Sequence, residues 1–166
     1  MVSHSPYETS KIRDILSQVM DPEIPVLSII DLGVLREIRV ENSQVHVVIT
    51  PTYSGCPAME MIAANIRMEL MAGGYSNPEV VQQLDPAWTT DWMTESGKAK
   101  LKEYGIAPPP AAHHKSCTDL FAEESVQCPH CNSWHTGRIS EFGSTACKSL
   151  YKCEDCLEPF DYFKCH

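Results

Sequence analysis

The sequence predicts an α+β fold: a compact α-β-β-α-β-α domain with a small mixed sheet, followed by a small cysteine-anchored module. Three observations carry this expectation. Hydrophobic spacing alternates between helix and strand periods along residues 10–105, a proline- and alanine-rich stretch then interrupts it, and paired cysteines recur beyond that stretch. The implied domains are residues 1–105, a semi-rigid linker over 106–127, and a terminal module over 128–166.

The elements follow in order. In "SKIRDILSQVM" (10–20), Ile12, Ile15, Leu16 and Val19 share one helical face, Thr9 or Ser10 can cap it, and "DPEIP" ends it. "GVLREIRV" and "SQVHVVIT" read as two strands joined by a tight turn at "EN". Val45, Val47 and Ile49 alternate with Gln44, His46 and Val48, so one sheet face lies in the core. Pro51 closes the second strand because it cannot donate to a ladder. From Ala58 to Met71 the spacing is helical again, with Met59, Ile62, Ile66 and Leu70 on one face and a "GG" stop at 73–74. "NPEVVQQL" is a third strand, and "TESGKAKLKEYG" a short helix ended by Gly105. Residues 117–127 fit either a helical turn or the linker.

Composition narrows the function. Of 166 residues, 43% are apolar and 21% charged, as in a globular protein. The net charge of −9 divides into −6 over residues 1–105 (8 basic, 14 acidic) and −3 over 106–166 (5 basic, 8 acidic). Neither part offers the basic patch that a phosphate backbone requires, so no nucleic-acid partner is expected. The N-terminus "MVSHSPYETS" has no basic region followed by an apolar one, and no apolar run approaches the ~18 residues of a membrane span. A cytoplasmic location with no membrane partner is therefore expected. There, eight cysteines point to metal ligation or thiol chemistry rather than disulfides.

"CPHC" (128–131) and "CEDC" (153–156) are the strongest motif. Two C-x-x-C knuckles 21 residues apart can present four thiolates as a tetrahedron, the arrangement zinc accepts from sulfur. Cys128, Cys131, Cys153 and Cys156 are thus expected to hold a structural zinc in a ribbon, with a hairpin between them and an extra turn around "EFGSTAC". Sulfur geometry alone does not choose zinc over iron. A segment this short cannot bury a sufficient core, so the metal would supply much of its folding free energy. Redox disulfides are the competing reading. Cys147 is expected to pack as a small hydrophobe, and His130 to be exposed; Cys117, Cys165, His166, His113 and His114 receive no defined role. The acidic balance favours docking on a protein.

"TPTYSGCPAM" (50–59) places Cys56 before a proline at a helix entrance. If Pro57 opens the helix, Cys56 is its N-cap, facing unpaired N–H groups that favour thiolate. Thr50, Tyr53 and Ser54 supply hydroxyls nearby. Placement alone fits a buried structural cysteine equally well. "DPEIPVLSIIDLG" adds Asp21, Glu23 and Asp31 in a loop, where acids are ordinarily solvated or capping groups. If they face Cys56, they offer oxygen ligands or a proton acceptor.

Those two loops, in that order around a β-hairpin, resemble the small iron–sulfur assembly domain of SufT-like proteins and the cytosolic iron–sulfur targeting factors. The resemblance covers about residues 8–104. With the tail "SEFGSTACKSLYKCEDCLEPFDYFKCH", the whole chain is similar to a family of bacterial phenylacetate degradation. The resemblance implies a factor that assembles or inserts a metal centre, iron or iron–sulfur, in the multicomponent phenylacetyl-CoA epoxygenase, with the oxygenase subunits as clients. It also implies transient iron or cluster contact, allows a homodimer, and carries function onto Asp21, Glu23, Thr52 and Cys56. Pro51 departs from the commoner apolar residue there. Two alternatives stand beside assembly: a non-catalytic adaptor subunit of the oxygenase, and then a thiol-dependent enzyme using Cys56, for which His46 is the only nearby base.

Overall fold

The computed structural model describes residues 6–109 and 126–164. Cys117, Cys165, His166, His113 and His114 lie outside the described residues. The chain divides into two compact units, residues 1–88 with 92–94 and residues 89–91 with 95–166.

The first unit opens with α1 (Pro6–Leu16). It starts ahead of the expected position, because a proline in the first turn has no N–H to lose. Thr9 and Ser10, expected as caps, are therefore internal. The helix stops where the Ser17 hydroxyl donates to the Asp14 carbonyl at 2.6 Å, diverting that acceptor from the helical ladder. The loop that follows is itself part of the core: Val19, Ile24, Leu27, Ile29, Leu32 and Val34 are all buried. Trp88 pins it by donating its indole N–H to the Leu32 carbonyl at 2.9 Å. Gly33 has φ +68°, and a Cβ there would lie 2.3 Å from the Trp92 carbonyl oxygen.

Strands β1 (Leu35–Glu41) and β2 (Gln44–Ile49) form the expected hairpin. Its two turn residues are Asn42 and Ser43, one residue later than the expected Glu41–Asn42, at φ 50° and 65°, as a type I′ turn needs at both central positions. Strand β3 (Glu79–Gln82) joins β2 in parallel, with His46 opposite Glu79 and Ile49 opposite Gln82. The sheet order is β1-β2-β3, which makes it mixed. A parallel neighbour demands a crossover, and α2 (Ala58–Ala72) provides it. Val45, Val47 and Ile49 of β2 and Ile62, Ile66 and Leu70 of α2 are buried, together with Ile12 and Leu16 of α1. The loop from the carboxyl end of β2 into α2 is where parallel βαβ units form ligand crevices.

The second unit contains α3 (Glu95–Glu103), β4 (Ile106–Ala107), β5 (Thr136–Ser140), β6 (Lys148–Cys153) and β7 (Pro159–Phe163). Its sheet order is β4-β7-β6-β5, with β4 parallel to β7 and the other pairs antiparallel. This differs from the sequence-based boundary after Gly105. Leu101, Ile106 and Ala107 are buried, so α3 groups with the second unit and residues 106–107 are strand rather than linker. The β5–β6 hairpin follows the expectation, with residues 141–147 as its loop. Strand β7 lies beyond the hairpin that the knuckle spacing predicts; its alternating Phe160 and Tyr162 enter a core shared with Ala107, Val126, Cys128, Tyr151 and Cys153. Tyr151 stacks on Phe160 and meets Tyr162 edge-on, at centroid distances of 5.9 and 5.6 Å.

Candidate functional site

Two constellations stand out, one in each unit. In the first unit Cys56 precedes α2, but the helix N-cap is Pro57, so Cys56 sits one residue outside the expected cap position. The proline is already in the αR region and takes the cap place without a side-chain acceptor. Cys56 nevertheless supplies one, since its sulfur accepts a hydrogen bond from the Ala58 N–H. Tyr53 hydrogen-bonds the same sulfur through its side chain.

The expected bias toward thiolate does not result. The Cys56 thiol is held above its ordinary pKa, first by burial and then by the negative charges of Glu23 and, more weakly, Asp21; the Ala58 N–H and Tyr53 oppose this without reversing it. A lone thiolate is thus disfavoured here. The same observation places both predicted acids within electrostatic reach of the sulfur. Asp21 is buried, and its Oδ1 accepts from the Glu23 and Ile24 N–H groups, each at 2.8 Å. That turn fixes Glu23, half-buried, where its charge acts on Cys56. Thr52 is half-buried in that loop. Asp31 is not part of the cluster: its carboxylate accepts from Ser28 Oγ at 2.9 Å and from Thr94 Oγ1 at 3.1 Å, which fastens the apolar loop. His46, the expected base, lies 2.9 Å by Nδ1 from Glu79 Oε2 across the β2–β3 pair.

In the second unit the sulfurs of Cys128, Cys131, Cys153 and Cys156 all lie within 4.8 Å of one another. Cys128–Cys156 and Cys131–Cys153 are separated by 3.7 and 3.5 Å. Metal–sulfur bonds of ~2.3 Å in a tetrahedron require edges of about 3.8 Å, so the four donors fit one tetrahedral ion. The two loops repeat one design. In each, the residue after the second cysteine has left-handed φ, Asn132 at 63° and Leu157 at 65°. The loop carries N–H groups to the sulfurs, as from Cys156 and Asp155 to Cys153.

Those two donors, led by the Cys156 N–H, lower the Cys153 thiol to about 7 against the effect of burial. Cys156 receives a lowering bond from the Glu158 N–H, but burial and the thiols of Cys153, Cys131 and Cys128 together push it up to about 12. Close packing of the sulfurs thus eases ionisation of Cys153 while it hinders that of Cys131 and Cys156. A cation would replace the remaining protons.

Cys147 is buried, with Thr145 Oγ1 at 3.1 Å, and is not part of the cluster. His130 is exposed within the first knuckle. Sequence reasoning missed a polar bridge around the metal loops: the Asp155 carboxylate meets both the Ser133 hydroxyl and His135 Nδ1. Its residues follow no spacing rule, so only the fold reveals it.

Comparison with known proteins places this pairing of units. The family described as "Iron-sulfur cluster assembly protein" is matched over residues 9–76, and the "PaaD zinc beta ribbon domain" over residues 112–164. Over 161 residues the chain is 53% identical to an Escherichia coli (strain K12) protein named as a putative subunit of 1,2-phenylacetyl-CoA epoxidase, covering 97% of this chain and 95% of that one. The chain belongs to the PaaD family. PaaD-family likeness spans both units, whereas the two relatives that follow match about half of the chain. A Porphyromonas gingivalis "Fe-S protein maturation auxiliary factor" is 33% identical over 88 residues, 52% of this chain and 83% of its own. The crystal structure of a domain of unknown function (DUF59) from Bacillus anthracis superposes with TM-score 0.54 at 25% identity, covering 58% of this chain and 92% of that chain. No helix among the described residues is long and apolar enough to cross a membrane.

Proposed function

We propose that this PaaD-family protein is a maturation factor that delivers iron or an iron–sulfur cluster to the phenylacetyl-CoA epoxidase, and that its ribbon holds a structural zinc. The observation that supports the reading is that the charges of Glu23 and, more weakly, Asp21 act on the Cys56 thiol. Carboxylates that oppose a bare thiolate favour a thiolate paired with a cation, so metal cargo replaces the proton rather than competing with a permanent charge. Cys56, Asp21, Glu23 and Thr52 are the proposed cargo-handling residues, and the maturation-factor name of the Porphyromonas gingivalis relative supports this assignment. The four ribbon cysteines are all sulfur donors in a closed set, which suits a structural ion rather than a catalytic one. We place its action in the cytoplasm, where thiols and metal-bound cysteines are the rule rather than disulfides.

The test is co-expression with the oxygenase subunits, comparing wild type with Cys56→Ser. The variant is expected to yield oxygenase with less bound metal and correspondingly lower activity. Fully metallated, active oxygenase would sink the reading. A second reading makes the protein a non-catalytic adaptor within the oxygenase. It draws on the name of the E. coli relative and on an exposed apolar stripe on α2, where Met61, Met68 and Met71 are more than half exposed. Stoichiometric co-purification with the active enzyme would favour it.

A further inference from the structure

Asp155 lies between the two cysteines of the second knuckle, yet its side chain grips the first. One carboxylate oxygen accepts from the Ser133 hydroxyl, and the other lies 3.1 Å from His135 Nδ1. Ser133 Oγ in turn accepts from the His135 N–H at 2.9 Å. The backbone N–H of Asp155 donates to Cys153 Sγ. Two neighbouring ties run in the same direction: the Glu154 N–H donates to the His135 carbonyl at 2.8 Å, and Thr136 pairs with Cys153 at the start of the β5–β6 ladder.

An exposed ion pair alone contributes little. Here, however, one residue is anchored to a ligand sulfur through its backbone and to the opposite loop through its carboxylate. Each knuckle supplies two of the four sulfurs, and both close sulfur pairs are formed across the knuckles. Separating the loops would therefore open both pairs at once.

We infer that Asp155 is a positioning residue for the ribbon's metal, a clasp between the knuckles that slows metal release. This rests on the reading of the four thiolates as a zinc site. Outer partners that orient metal ligands typically change affinity by roughly 10- to 100-fold. They do so without touching the ion.

The full chain, loaded with one equivalent of zinc, is challenged with excess 4-(2-pyridylazo)resorcinol, and zinc release is followed by absorbance. Asp155→Ala is expected to release zinc about tenfold faster than wild type. Ser133→Ala is expected to accelerate release as well, and the double variant to be no faster than Asp155→Ala, since both act through one clasp. The cobalt-substituted Asp155→Ala chain should keep the wild-type tetrahedral thiolate spectrum, which separates positioning from loss of the ligand set. Release within twofold of wild type, additive effects of the two substitutions, or an altered cobalt spectrum would each overturn the inference. A wild-type chain that takes up neither zinc nor cobalt would instead overturn the metal-site reading beneath it.

Discussion

Glu23 acts on Cys56 through charge, and that gives the cluster a signature of its own. A carboxylate near a thiol disfavours its ionised form, so neutralising the carboxylate should ease ionisation. Glu23→Gln is expected to move the pH inflection of Cys56 alkylation, followed by mass spectrometry on the Cys56 peptide, to lower pH. An inflection that stays put or rises would remove Glu23 from the cluster. The sign also fixes a stability term. Because the folded state favours the protonated thiol, this contribution is present below the ordinary thiol pKa and fades as pH rises through the raised one. At this scale the sequence was partly legible. The Cys56–Pro57 step and the two acids could be named, because each belongs to a recognisable loop motif. Their net effect could not, since burial outweighs the helix-end N–H and burial is a property of the packed fold. Asp155 was illegible for a related reason: its partners Ser133 and His135 lie on the opposite knuckle, and no local pattern joins them.

At the scale of elements, α2 and the β1–β2 hairpin were readable from periodicity, although the turn falls one residue later than the pattern indicates. The start of α1 was not, because a proline that can open a helix competes with Thr9 and Ser10 for the role. Strand β4 was hidden for a different reason. Two residues ahead of a proline tract carry no period, and only the pairing of Ile106 and Ala107 with β7 makes them a strand. The apolar loop before β1 depends on a close approach at Gly33, where φ is +68° and a Cβ would collide with the Trp92 backbone. Gly33→Ala should therefore destabilise the first unit by about 2 kcal/mol or more, through clash and left-handed strain together. Urea unfolding monitored by the circular dichroism of the helices measures it; a loss under about 0.5 kcal/mol, the range of neutral surface changes, would contradict the close contact.

The whole molecule joins a unit whose core is built from aliphatic residues to one whose core includes its own metal ligands. Cys128 and Cys153 are fully buried among Tyr151, Phe160 and Tyr162, so losing the ion removes the shared partner that ties these sulfurs together inside that cluster. Hydrogen exchange after treatment with a strong chelator is expected to show protection collapsing in β6 and β7, while β2 and α2 keep most of theirs. Retained protection in β6 and β7 would mean that the aromatic core holds without metal. The α+β class was legible from the alternation of helix and strand periods, and the four-sulfur cluster from cysteine spacing. The division point was not, since it depends on which sheet buries Leu101 and Ile106.

That division has a practical meaning for anyone who wishes to study the halves apart. The proline tract invites a cut, but cutting there would leave β7 with a bare edge and strand Ile106–Ala107 on the wrong fragment. Such an edge exposes unpaired N–H and carbonyl groups that can recruit another chain. A dissection that respects the hydrogen-bonding of the second sheet begins ahead of Glu95, and a ribbon made from residue 128 onward is a truncated sheet rather than a minimal domain.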